Sequence, residues 1–215
     1  KVDLTNVKAI SMGGHAGAAL KNNGTVVLWG NSDYGGSNNT NVELSDIKAI
    51  SMGGYAGAAL KNNGTVVLWG YSDFGGINNT NVVLRDIKAI SMGGLAGAAL
   101  KNDGTVVLWG SSYSGGYNNT NVDLSDINAI SMGEIAGAAL KNDGTVVLWG
   151  NLGSGGSNNT NADLRDIKAI SMGGRAGAAL KRNGNVVLWG NSDYGGYNNT
   201  NVVLRDIKAI SMGGL

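Results

Sequence analysis

The 215-residue chain has no cysteine, no proline, a single histidine and a single phenylalanine. Without cysteine there is no disulfide framework, no thiol nucleophile and no cysteine-ligated zinc, and the redox compartment leaves no trace in the composition. The lone His15 excludes a histidine-based triad or metal cluster, so the expectation is no cofactor, no metal and no enzyme. A formal charge of +1 gives no reason to expect nucleic acid or a membrane as partner. No apolar run approaches the roughly 20 residues of a membrane helix. No secretion signal is visible, and the chain starts at Lys1 without an initiator methionine. No stretch keeps a 3.6-residue apolar period free of glycine, which argues against helix.

What the chain has in excess is glycine, 37 residues, and repetition. Copies of one 40-residue unit begin at Lys1, Asn41, Asn81, Asn121 and Asn161, and a partial sixth runs from Asn201 to Leu215. The stub "NVVLRDIKAISMGGL" repeats the opening "KVDLTNVKAISMGGH". Five copies and a stub read as a window cut from a longer array; the alternative is a spare segment that pairs across a closing seam.

Each copy carries three strand signals, in the first "VKAISM" (Val7 to Met12), "AGAALK" (Ala16 to Lys21) and "TVVLWG" (Thr25 to Gly30). Asn23-Gly24, with Asp103-Gly104 and Asp143-Gly144 in sister copies, predicts a tight type I′ hairpin between the last two. Gly30 to about Asp46 reads as loop. One three-stranded unit cannot bury both of its apolar faces, whereas stacked units cover one another. All-strand units of this length with one tryptophan each fit propeller blades at 1–40, 41–80, 81–120, 121–160 and 161–200. Trp29, Trp69, Trp109, Trp149 and Trp189 are then the expected inter-blade core; the competing role is a carbohydrate-stacking platform.

The segment "IKAISMGGYAGAALKNNGTVVLWGYSDFGG" resembles the repeat of propellers in the regulator of chromosome condensation family, above all the three-stranded blades of the β-lactamase inhibitor protein II type. The "LK-N-D/N-G-T-V-V-x-W-G" part carries the match, in all five copies. Ala16, Ala56, Ala96, Ala136 and Ala176 stand where that family has histidine, and Gly36 and its equivalents replace a glutamine. The resemblance implies the propeller fold, which in that family closes with seven blades. Exchange-factor or inhibitor activity does not follow, because it depends on particular loops.

Between copies, few positions change. One column is His15, Tyr55, Leu95, Ile135 and Arg175. Others follow the tryptophan: Asn31/Tyr71, Asp33/Tyr113, Tyr34/Phe74/Tyr194 and Ser37/Ile77/Tyr117/Tyr197. A third pair varies in the return segment, at Asp3/Glu43/Val83 and Thr5/Ser45/Arg85. An up–down–up meander brings the His15 column and the 31–37 columns to one rim, exposed at a loop edge where packing does not dictate identity. Two readings stay open. Neutral drift accounts for surface variation, but a diversified recognition surface accounts better for all seven tyrosines and the one phenylalanine gathering there.

Other motifs are weaker. "NSDYGG" (Asn31 to Gly36) has Gly35 where a calcium loop needs Asp or Asn, and Val42 where the bidentate glutamate belongs. The double glycines complete neither a dinucleotide fingerprint nor a P-loop. "NNT" recurs at Asn38, Asn78, Asn118, Asn158 and Asn198, formally sequons and equally well Asx turns. A ring of Lys8, Lys48, Lys88, Lys168 and Lys208 is largely balanced by Asp46, Asp86, Asp166 and Asp206. The expectation is an all-β, non-enzymatic scaffold whose rim binds a protein or glycan. The alternative is a structural protein that self-associates into oligomers or filaments by continuing its repeats.

Overall fold

The computed structural model describes residues 2–38, 41–77, 83–118, 121–198 and 203–213. Five three-stranded antiparallel sheets follow one another, each with its strands in sequence order. The inner strands are Val7–Met12, Ile47–Met52, Ile87–Met92, Ile127–Met132 and Ile167–Met172. The middle strands are Ala16–Lys21, Ala56–Lys61, Ala96–Lys101, Ala136–Lys141 and Ala176–Lys181. The outer strands are Val26–Gly30, Val66–Gly70, Val106–Gly110, Val146–Gly150 and Val186–Gly190. Each blade is thus the expected up–down–up meander.

Two local expectations need correction. The hairpin is not a two-residue type I′ turn. Gly24 N donates to Lys21 O (3.0 Å) and Lys21 N to Thr25 O (2.9 Å), enclosing three residues. Positive φ falls on Gly24 (80°) and not on Asn23. Asn23 is occupied otherwise: its Oδ1 accepts from Thr25 N (3.1 Å) and Thr25 Oγ1 (2.7 Å), which favours a type I turn closed by a left-handed glycine. The outer strand therefore begins at Val26 instead of Thr25. The second correction concerns the supposed loop after the tryptophan. It opens with one 3-10 turn, Ser32–Tyr34 and its equivalents, capped where Asn31 Oδ1 accepts from Asp33 N (2.9 Å) and stopped by left-handed Gly35 (φ 94°).

Blade stacking follows from the alternation in "AGAAL". Ala56, Ala58 and Leu60 face forward onto Ile87, Met92, Ala99 and Trp109 of blade 3. Gly57 and Ala59 point back, and Ala59 packs against Ala16, Ala18 and Leu20 of blade 1. A middle strand buried on both faces tolerates only small residues where backbones crowd. A Cβ on Gly57 would lie 2.3 Å from the Trp69 ring.

Three polar devices tie one blade to the next. Trp69 Nε1 donates to Gly35 O (3.0 Å), and Trp109, Trp149 and Trp189 do the same to Gly75, Gly115 and Gly155. Ser11 Oγ accepts from Met52 N (2.8 Å), a bond repeated at every step to Met212. Gly14 N donates to Gly53 O and Gly54 N to Gly93 O (3.1 Å). These four tryptophans are fully buried. Trp29 is half-buried among the described residues, and Met12 beside it is 64% exposed.

The linkers run along the outer strands. Val146 N of the outer strand donates to Leu164 O of the return segment that follows it (3.2 Å). Asn159 pairs its amide with both Gly190 O and Gly190 N (3.0 Å each), and Thr160 Oγ1 reaches Leu188 O (3.0 Å). The sequon asparagine itself is engaged: Asn158 Nδ2 donates to Ala162 O (2.7 Å) and its Oδ1 accepts from Ala162 N (2.8 Å). Asn38 and Asn118 make the same two bonds four residues on. Asn39, Thr40, Asn78, Asn119, Thr120, Asn199 and Thr200 lie outside the described residues.

Candidate functional site

The two ends of each blade differ chemically. At one end the hairpin, the return segment and the start of the inner strand meet. There Lys21 is held by Asp3 (2.6 Å), Lys61 by Glu43 (3.0 Å), Lys141 by Asp123 (2.6 Å) and Lys181 by Asp163 (2.7 Å). The varying return-segment column is therefore the acid partner of a nearly unvarying lysine, with Val83 standing in that place opposite Lys101. Lysine and serine neighbours hold the Asp123 carboxyl down to about 2, and Lys181 and Arg165 hold Asp163 at about 2. The four inner-strand lysines, Lys8, Lys48, Lys88 and Lys168, and Lys208 beyond them are exposed, and Asp46 does not pair with Lys48; its Oδ1 accepts from Asn62 Nδ2 (2.6 Å).

At the other end, the Gly-Gly turn meets the 3-10 turn. Asn31 N donates to His15 O (3.0 Å), and Gly36 N returns to Asn31 O (2.7 Å). This fixes the His15 column beside the 31–34 columns in every blade. His15 contacts the Tyr34 ring of its own blade (centroids 4.9 Å apart) and the Tyr55 ring of the next (5.0 Å). Tyr34 meets Tyr55 edge-on (4.9 Å) and reaches Tyr71 (6.0 Å). Tyr55 packs on Phe74 (5.2 Å), which stacks on Tyr71 (5.1 Å). Five rings from blades 1 and 2 thus form one connected group.

Blade 5 fills the same two columns differently. The Arg175 guanidinium carbon lies 5.0 Å over the Tyr194 ring, and Glu134 Oε2 of blade 4 stands 3.5 Å from Arg175 Nε. Glu134 was not singled out by sequence, although its signal was present: blade 4 alone reads Gly-Glu where the others read Gly-Gly. Leu152, 58% exposed in a column that is otherwise serine, was missed in the same way.

The remaining candidates do not join the ring group. Tyr113 (87% exposed) and Tyr117 (62%) project from blade 3 without a ring partner among the described residues. Ile77 and Tyr197 are exposed further along the same column, and Tyr197 lines a groove on the outer wall with Val187, Leu188 and Arg205. Tyr197 thus lies off the rim. The His15 column is also less exposed than expected. Tyr55, Leu95, Ile135 and Arg175 are half-buried, because each sits against the 3-10 turn of its own blade, and only His15 is open. Asn31, Asp33 and Tyr71 are exposed, while Tyr34, Phe74 and Tyr194 are half-buried. Inside the rim, the Met-Gly-Gly turns enclose an open depression of about 660 Å³, bordered by His15, Tyr55, Leu95 and Glu134. Among the described residues no three His, Cys, Asp or Glu side chains converge to hold a metal.

No protein-family profile matches the chain, and no curated protein matches it in sequence. Solved structures do match in shape. Human WBSCR16 superposes with a TM-score of 0.68 at 14% identity, over 96% of this chain and 67% of that one. Saccharomyces cerevisiae Prp20p gives 0.67 at 18% identity, over 99% and 69%. The ectodomain of the Arabidopsis thaliana receptor kinase ACR4 gives 0.66 at 19% identity, over 97% and 72%. The chain spans about two thirds of the length of these structures. The Prp20p structure comes with binding to Gsp1p and histones, and yeast RCC1 (Prp20) is also seen bound to Kap60. The fold is an array of RCC1-like propeller blades.

Proposed function

We propose that the array is a non-enzymatic scaffold that binds a partner protein through the rim built by the His15 column and the 3-10 turns. The observation that carries this reading is the connected group of His15, Tyr34, Tyr55, Tyr71 and Phe74. Rings of this size concentrate contact area at little cost in side-chain entropy, and tyrosine is over-represented where interfaces draw most of their binding energy. Protein binding by the shape-related Prp20p agrees with it. The depression inside the rim holds no paired acid and base positioned for proton transfer, so recognition fits the chemistry better than catalysis.

The test borrows residues from sister blades, which the fold already accepts at these places: Tyr34→Ser, Tyr55→Leu, Tyr71→Asn and Phe74→Ser in one protein. Random peptide libraries and a glycan array are panned on the parent and on this variant. A convergent set of peptides enriched on the parent and lost on the variant, with circular dichroism unchanged, is the expected result. Equal enrichment on both proteins removes the rim as the site. Capture of glycans alone removes the protein partner.

A further inference from the structure

We infer that the ring group of blades 1 and 2 receives arginine side chains from a basic segment of the partner, an assignment that rests on the scaffold reading above. The molecule contains an occupied version of the same arrangement. In blade 5 the His15 column is Arg175, and its guanidinium lies 5.0 Å over Tyr194 with Glu134 3.5 Å away. In blades 1 and 2 the same two columns carry only rings: His15 with Tyr34, and Tyr55 with Phe74. The fold therefore offers there the aromatic half of a pairing whose cationic half it supplies for itself in blade 5.

Charge at this rim points the same way. On the Gly-Gly and 3-10 turns stand four carboxylates, Asp33, Asp73, Glu134 and Asp193, against Arg175 as the one formal cation. Asp33 and Asp73 are exposed, belong to the same turns as Tyr34 and Phe74, and have no ion pair among the described residues. An overall charge of +1 conceals this asymmetry, because the lysines are gathered at the other end of the blades. A ring face attracts a cation through its quadrupole, and a flat guanidinium stacks on it where a hydrated ammonium does not. Partly covered rings with exposed carboxylates at their margin, unpaired with any cation among the described residues, suit an arginine-bearing segment better than a purely apolar or an acidic one.

The test is a fluorescence-anisotropy titration with labelled peptides of six Arg-Gly, six Lys-Gly or six Glu-Gly units. The parent protein, the four-residue ring variant described above and the double variant Asp33→Asn/Asp73→Asn are compared. Expected is binding of the arginine peptide to the parent about tenfold or more tighter than that of the lysine peptide, and none of the glutamate peptide. The ring variant should lose about tenfold or more, and the double asparagine variant about threefold. Equal affinity for arginine and lysine peptides overturns the inference, and so does arginine binding that survives loss of the rings. Panned peptides that need the rings but lack arginine overturn it too, while leaving the scaffold reading intact. Absence of any ring-dependent ligand, peptide or arginine probe, overturns both.

Discussion

Replacing Gly53 by alanine tests how the blades are joined. A Cβ at Gly53 would stand 2.1 Å from the carbonyl oxygen of Gly93 and 3.2 Å from Met92 Cβ. Carbon and oxygen in ordinary contact lie about 3.3 Å apart, so the neighbouring turn must retreat by about 1 Å. The obstructing atom belongs to the backbone and cannot rotate aside. Retreat breaks the bond from Gly54 N to Gly93 O (3.1 Å) and strains that from Met92 N to Ser51 Oγ (2.9 Å). Overpacking costs about 1–3 kcal/mol and each lost bond about 1 kcal/mol, less about 0.4–1 kcal/mol from the stiffer unfolded chain. The net expectation is a loss of about 2–4 kcal/mol. Gly153→Ala is the control. The nearest atom to its Cβ is Asn151 Oδ1 at 3.7 Å and its φ lies outside the left-handed region, so it should be neutral or slightly stabilising. Guanidinium denaturation followed by tryptophan fluorescence reads both, and hydrogen exchange on the middle strands of blades 2 and 3 locates the damage. Should the two variants unfold within about 0.5 kcal/mol of each other, close backbone approach is not why glycine stands at position 53.

Three further outcomes follow from the same contacts. Trp109→Phe removes the bond to Gly75 O (3.2 Å) and leaves a void in a fully buried site, for a loss of about 2–3 kcal/mol in the same denaturation assay; a loss under about 1 kcal/mol would show that the latch carries little. Asn159→Ala forfeits both bonds to Gly190, about 1–2 kcal/mol, and should speed exchange of the Gly190 amide; an unchanged rate would show that the linker is not clamped there. The third outcome concerns pH. Asp123 and Asp163 titrate at about 2 in the folded chain against an ordinary 3.8, so their pairing stabilises the fold above about pH 4 and is lost as pH falls towards 2. Denaturation midpoints at pH 4.5 and 2 should therefore differ less in Asp123→Asn/Asp163→Asn than in the parent, and less in high salt; equal differences would rule the pairing out as a cause.

Much of this structure was legible because the repeat exposes its own constraints. Strand limits came out within one residue, since β-branched runs end at Gly13-Gly14 and at the Asn23-Gly24 hairpin. What sequence reading missed is what depends on side chains bonding locally. Asn23 capping Thr25 turns the hairpin from two residues into three, and Asn31 capping Asp33 organises a 3-10 turn within an apparent loop. Polar residues that bond their own backbone leave no periodic signal. At the rim, identity and chain direction were enough to bring the His15 column beside residues 31–34. They could not show that Tyr197 turns onto the outer wall, nor that Glu134 would meet Arg175, because both depend on geometry between segments.

The blade contact also explains why the rim can vary at all. Trp69 does not bond a side chain of blade 1; it bonds the carbonyl of Gly35, one residue beyond Tyr34. The latch reads backbone, so the neighbouring position is free to be Tyr34, Phe74, Ser114, Ser154 or Tyr194 with the same bond kept in each described step. The inner rim obeys the same logic: the Gly-Gly ladder pairs amide with carbonyl, and Glu134 replaces a glycine without losing it, its N still reaching Gly173 O at 3.3 Å. Stability is thus carried by main-chain atoms, tryptophan and small residues, and recognition by side chains that those atoms never consult. Exchanging residues 71–77 of blade 2 with 111–117 of blade 3 should for this reason relocate the ring group without unfolding the array. Ring-dependent peptide capture should weaken because Tyr55 loses Phe74, while the buried tryptophans keep their fluorescence. A swap that unfolds the chain would mean that the turns, and not the backbone latch, hold the blades together.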